Sequence, residues 1–145
     1  MLEQIPFSIF ENENIIIAPE NLLPFDITEL KDKKLVLFIL PYLDKNESEK
    51  SLFKIFNACG LNNEEIFITQ DLILWADITK SQTVKDVFLF GINPEDIGVY
   101  YQVFPYSFMP ISNKKLIVAD SIDVIMNNQQ LKMDFWNNCL KPYYK

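Results

Sequence analysis

The stretch FLFGINPEDIG, residues 88–98, carries the side chains best placed for chemistry. A buried-looking apolar run ends at Gly91, and Asn93 and Pro94 follow directly after Ile92. An asparagine amide at the mouth of a strand can orient an attacking water. The plainer reading is a strand leaving through a turn, because glycine permits tight backbone passage and Asn-Pro initiates turns. Glu95 and Asp96 stand beside the motif, while the nearest lysines in sequence are Lys85 and Lys114. Other carboxylate groupings, Glu64 with Glu65 and Glu11 with Glu13, have no histidine and no Asp-x-Asp pattern with which to hold a metal.

The composition narrows the chemistry further. The 145-residue chain has no histidine and no arginine; all thirteen basic residues are lysine. Ser-His and Cys-His nucleophiles, a histidine base and imidazole metal ligands are therefore excluded. Bidentate guanidinium contacts to phosphate or guanine are lost as well. A net charge of −7 repels polyanions at long range, so direct nucleic-acid binding is disfavoured. With three glycines in all, there is no phosphate-cradling glycine-rich loop. Neither a catalytic site nor a cofactor or metal is expected.

The elements that must position these residues follow from hydrophobic pattern. Residues 1–30 form an arm of irregular apolar spacing, with prolines at 6, 19 and 24, and residues 31–145 form one domain. An unbroken apolar run at 35–40 and the segment DVFLFGI at 86–92 predict strands covered on both faces, and further strands are expected at 65–69 and 114–121. Leu52, Ile55, Phe56 and Cys59 share one face of a helix that Gly60 stops. Thr69 or Asp71 is placed to cap a helical turn through DLILWAD, and Ser121 to cap a helix through Ile122 and Ile125. A last helix is predicted over about 129–140, with Pro142 ending it. Strands alternating with helices give an α/β fold: a three-layer α/β/α arrangement on a mainly parallel sheet of about four strands, preceded by the extended arm.

Cys59 and Cys139 fall in amphipathic helices and read as buried thiols. No apolar run approaches the roughly 20 residues of a membrane span, and the N-terminus has no secretory pattern, so a cytoplasmic location is expected.

Two regions hold more apolar surface than one face requires. In GVYYQVFPYSFMPIS, residues 98–112, Tyr100, Tyr101, Phe104, Tyr106 and Phe108 exceed what one face of a strand hides. They read either as a strand or loop covering the sheet edge or as a protein-binding surface. In the final helix, Leu131, Phe135 and Cys139 form one stripe and Met133, Trp136 and Leu140 another, which adds Trp136 to the candidate partner surface.

The string Gly91-Ile92-Asn93-Pro94 resembles a motif of mismatch-specific uracil-DNA glycosylases, whose asparagine positions the attacking water. Here it follows the third predicted strand rather than the first, and no later segment resembles the DNA-wedging loop of those enzymes. Gly91 and Asn93 therefore stand as an alternative ligand loop.

LEQIPFSIF at the start, KLVLFILPYLDKNESEKSLFKIFNACGLNNEEIFITQ in the middle and ADSIDVIMNNQQLKMDFW at the end, taken in order, resemble the psi subunit family of bacterial DNA polymerase III, an accessory component of the clamp loader. LEQIPFSIF is similar to the psi arm, with Leu2, Ile5, Pro6, Phe7 and Phe10 in its apolar, turn and aromatic places; Phe10 stands where the arm has tryptophan. KLVLFILPYLDKNESEKSLFKIFNACGLNNEEIFITQ resembles the psi run of strand, loop, helix and strand. ADSIDVIMNNQQLKMDFW resembles its closing pattern, through Ile122, Ile125, Asn128, Lys132, Phe135 and Trp136. The resemblance implies a glycosylase-like fold without glycosylase catalysis. It also implies an adaptor role in DNA replication, with the arm on the collar of the clamp-loader ATPase subunits and the body on a chi-like subunit. Glu11, Asn12 and Glu13 depart from the basic continuation of the psi arm.

Overall fold

The computed structural model describes residues 25–144. Five strands form one sheet: β1 (Leu35–Phe38), β2 (Ile66–Thr69), β3 (Asp86–Phe90), β4 (Met109–Ile111) and β5 (Lys114–Ala119). Their order across the sheet is β2-β1-β3-β5-β4. The first four in that order run parallel, in a register that sets Leu35 beside both Ile66 and Asp86, and Asp86 beside Lys115. β4 is antiparallel to β5, with Pro110 opposite Lys115. The expected α/β fold with a mainly parallel sheet is what the chain adopts.

The apolar runs form strands because both faces of the sheet are covered. Alternate residues divide cleanly between two cores. Leu35, Leu37, Ile39, Phe88, Phe90 and Ile117 face one side and pack against Leu52, Phe56, Ile125, Phe135 and Leu140. Val36, Phe38, Val87, Leu89 and Leu116 face the other, against Leu30, Ile73, Trp75, Ile78, Ile97 and Val99. The first side is covered by α1 (Lys45–Asn57), α3 (Ile122–Met126) and the C-terminal helix. The second is covered by shorter pieces: α2 (Trp75–Ile78) and 3-10 turns at Ile27–Leu30 and Pro94–Ile97. Phe25 meets Phe67 edge-on, so the last residues of the stretch read as an arm pack on the sheet.

Several local expectations are corrected. Thr69 does not cap a helix; its hydroxyl turns back to Asp71, and α2 begins only at Trp75, behind Leu74. Ser121 occupies the N-cap position of α3, but its hydroxyl donates to the Asp123 carboxylate instead of accepting from the helix. The C-terminal helix does not stop at Pro142. It runs from α4 (Gln129–Asp134) through a π-helical turn (Phe135–Leu140) into α5 (Lys141–Tyr144). In the wide turn the Lys141 N–H reaches the Trp136 carbonyl, five residues back. That shift of bonding register directly precedes the proline, which has no N–H to give, and lets the helix pass through it.

Cys59 and Cys139 are both buried in the first core, and burial pushes the Cys139 thiol up to about 12. Among the described residues no helix is long and apolar enough to cross a membrane.

Candidate interaction surface at the carboxyl end of the sheet

In an open parallel sheet the strand order reverses at a switch point, and ligands gather outside the carboxyl ends of the strands there. Here the chain goes from β1 outward to β2 and returns past β1 to β3, so the switch lies between the ends of β1 and β3. The loop leaving β3 is the Gly91–Asn93 segment.

Gly91 is at φ +77°, and its N–H donates to the Ala119 carbonyl at 2.9 Å. A Cβ at this position would lie 2.8 Å from the Ser121 Cβ and 3.2 Å from a Leu40 methyl. The glycine is thus required twice, by conformation and by space. It also means that Leu40 and Ser121 close over the strand exit on that side. Ile92 is buried, whereas Asn93 is exposed; it precedes the 3-10 turn at Pro94–Ile97 without capping it through its side chain. Gly98 ends that turn at φ +85°. Gly91 and Pro94 therefore form the expected exit from the strand, and Asn93 stands at its rim with Glu95 and Asp96.

Buried Ile97 and Val99 pin the loop to the second core, and the chain beyond them turns outward. Tyr100 is 80% exposed, Tyr101 65% and Phe104 64%. These three are surface residues, as a partner face requires. Tyr106, Phe108 and Trp136 are not: all three are half-buried against the first core. Tyr106, at φ +63°, packs on Phe135, and its hydroxyl donates to the Asp120 carboxylate. Burial, reinforced by that carboxylate, pushes the Tyr106 hydroxyl up to about 12. Phe108 stacks on Tyr143 with ring centres 3.7 Å apart and meets Phe88 edge-on. The aromatic excess of residues 98–112 is therefore divided. Its first half is displayed, and its second half covers the sheet edge and leads into β4.

Three further exposed apolar residues join the displayed set: Tyr42, Leu72 and Leu74. They lie in the loops leaving β1 and β2, at the same end of the sheet. The loops are tied together there. The Gln70 side-chain amide donates to the carbonyls of Leu40 and Leu43, at 3.1 and 2.8 Å, and Leu74 approaches Gly98. Leu72 and Leu74 are hidden in the sequence because DLILW has the look of a helix turned to the core. Tyr42 has no periodic signal at all.

Charge divides between the two ends of the sheet. The carboxyl-end loops, residues 39–44, 70–74, 91–108 and 120–121, contain Asp44, Asp71, Glu95, Asp96 and Asp120 and no lysine. The amino-end segments, 31–34, 61–65, 79–86 and 112–115, contain Lys31, Lys33, Lys34, Lys80, Lys85, Lys114 and Lys115 against Asp32, Glu64, Glu65 and Asp86. The carboxyl end is an apolar and acidic face, suited to a partner that is apolar and basic.

The arm residues Leu2, Ile5, Phe7 and Phe10 lie outside the described residues. No protein-family model matches the chain, and neither the curated proteins nor the solved structures yield a match.

Proposed function

We propose that this protein is a non-catalytic adaptor of the psi type, working in the cytoplasm. Its N-terminal arm engages the collar of clamp-loader ATPase subunits through Leu2, Ile5, Phe7 and Phe10. Its body presents the carboxyl-end face to a second replisome protein, in the position of a chi-like subunit. The observation that carries the reading is the set of exposed apolar side chains, Tyr42, Leu72, Leu74, Tyr100, Tyr101 and Phe104, gathered on loops without a lysine. Aromatic anchors of this kind dominate protein interfaces, whereas an acidic face repels a phosphate backbone.

The two contacts are separable by experiment. Calorimetric titration of purified clamp-loader ATPase complex should show binding by the full chain and a marked loss in Phe10→Ala. Equal affinity for both proteins would reject the arm contact.

A second reading has one observation in its favour: Asn93 stands exposed at the switch point, where a glycosylase would hold its water. Against it, Leu40 and Ser121 crowd Gly91, and Glu95 and Asp96 oppose a duplex. Incubation with uracil- and thymine-mismatched duplexes discriminates the readings, since Asn93-dependent release of free base would establish the enzyme.

A further inference from the structure

At the amino end of the sheet a groove of about 510 Å³ opens between the loop before β3 and the β4–β5 hairpin. Lys85, Lys114 and Lys115 line it, with Asp86 as its one carboxylate among the described residues. Lys114 is only 6% exposed. Its ammonium group donates to the carbonyls of Ser81 and Val84, both at 2.7 Å, and so braces the 81–84 loop. An ammonium has three N–H donors, so one remains. No carboxylate among the described residues pairs with Lys114, and a buried charge without a counter-ion is costly. Burial accordingly lowers the Lys114 pKa.

Asp86 makes no ion pair with Lys114. Its two oxygens accept from the hydroxyls of Tyr143 and Tyr144, at 3.0 and 2.9 Å. Burial raises its pKa and disfavours its charged form, against the pull of Lys115 and Lys85. Lys115 lies over the Tyr143 ring at 5.4 Å and makes no ion pair among the described residues. The hairpin turn, with Ser112 and Asn113 both at positive φ, adds a hydroxyl and an amide to the same wall. Three ammonium groups thus face one committed carboxylate in a chain whose net charge is −7.

We infer that this groove is a binding site for a small phosphate-bearing molecule, with Lys114 at its floor and Lys85 and Lys115 at its rim. A phosphate dianion accepts several charge-assisted hydrogen bonds at once and matches the excess of donors. The groove exceeds one phosphate group and falls in the size range of small-molecule sites, which leaves space for the rest of a monoester. The site is independent of the adaptor reading, because it lies at the opposite end of the strands.

The test is thermal unfolding of the full chain at pH 7 and fixed ionic strength, with chloride exchanged for inorganic phosphate or for adenosine 5′-monophosphate. The expected result is a saturable rise in Tm, which specific binding to the folded chain produces. In Lys85→Gln/Lys115→Gln, which changes only rim side chains, the midpoint should move to at least about tenfold higher concentration. Saturation at lower concentration by the nucleotide than by phosphate assigns the site to monoesters; equal midpoints assign it to the free anion. A linear, unsaturating rise with both ligands, or an unchanged midpoint in the double variant, overturns the proposal.

Discussion

The two ends of this sheet are built from the same strands and have opposite surfaces. At the carboxyl end, tyrosines, leucines and Phe104 stand in solvent among carboxylates. At the amino end, lysines surround a polar groove, and the hydroxyls of exposed Tyr143 and half-buried Tyr144 clasp Asp86. Apolar display suits a macromolecular partner, which removes a wide area from water. Converging donors suit a small charged ligand, which needs a few directed bonds. A net charge summed over the whole chain conceals this division.

The largest effect expected is at the displayed aromatics. Tyr100→Ser/Tyr101→Ser/Phe104→Ser should abolish capture of the partner of the body and leave the far-ultraviolet circular dichroism unchanged. A single anchor contributes about 2 kcal/mol, or roughly 30-fold in affinity, and the loss from three exceeds that. Undiminished binding would remove the carboxyl end from the interface.

Next in size is Gly91→Ala, which tests whether that end is a rigid platform. Positive φ and the contact with Ser121 together should cost about 3 kcal/mol of stability by denaturant unfolding. A loss below about 1 kcal/mol would mean that the loop yields easily and is no fixed support.

The clasp at the amino end gives a pH signature. Burial raises the Asp86 pKa above its ordinary 3.8, so the folded state keeps a proton that the unfolded state has lost. This contribution to stability is complete below about pH 4 and is lost as pH rises through the folded value. Asp86→Asn retains an acceptor and removes the titration. Unfolding free energies across pH 4–7 should therefore show the wild-type protein losing ground to the variant as pH rises. A constant difference would mean that Asp86 titrates normally.

The smallest effect is expected at Trp75, whose buried indole N–H has no hydrogen-bond partner among the described residues. Trp75→Phe removes that unpaired donor along with some packing, and the two changes oppose each other. Stability should change by less than about 1 kcal/mol, against the 3 kcal/mol or more typical of losing a buried aromatic side chain.

The sheet was legible in the sequence because doubly covered strands are rich in consecutive apolar residues, as at 35–40 and 87–90. β4 was not separable from its loop: it has three residues, includes Pro110 and is half-buried, as an edge strand tolerates. Among the candidate partner residues, Tyr100, Tyr101 and Phe104 could not be distinguished from Tyr106 and Phe108 by type. What separates them is the pinning of Ile97 and Val99 before the loop and the Phe135 and Tyr143 rings after it, which are distant in sequence. The opposition of charge was invisible for a related reason. Successive loops of a parallel sheet go to alternate ends, so lysines and carboxylates that intermingle along the chain are sorted only when strand directions are known.

The π-helical turn acts as a phase shifter for the C-terminus. A π turn is an α-helix with one residue too many, and each residue turns a helix by about 100°. Deleting Asn137 would restore a regular helix up to Pro142, where the missing N–H would then interrupt it. It would also rotate both clasping tyrosines about a quarter-turn away from Asp86. One surplus residue on an exposed flank thereby sets where the last aromatic rings point.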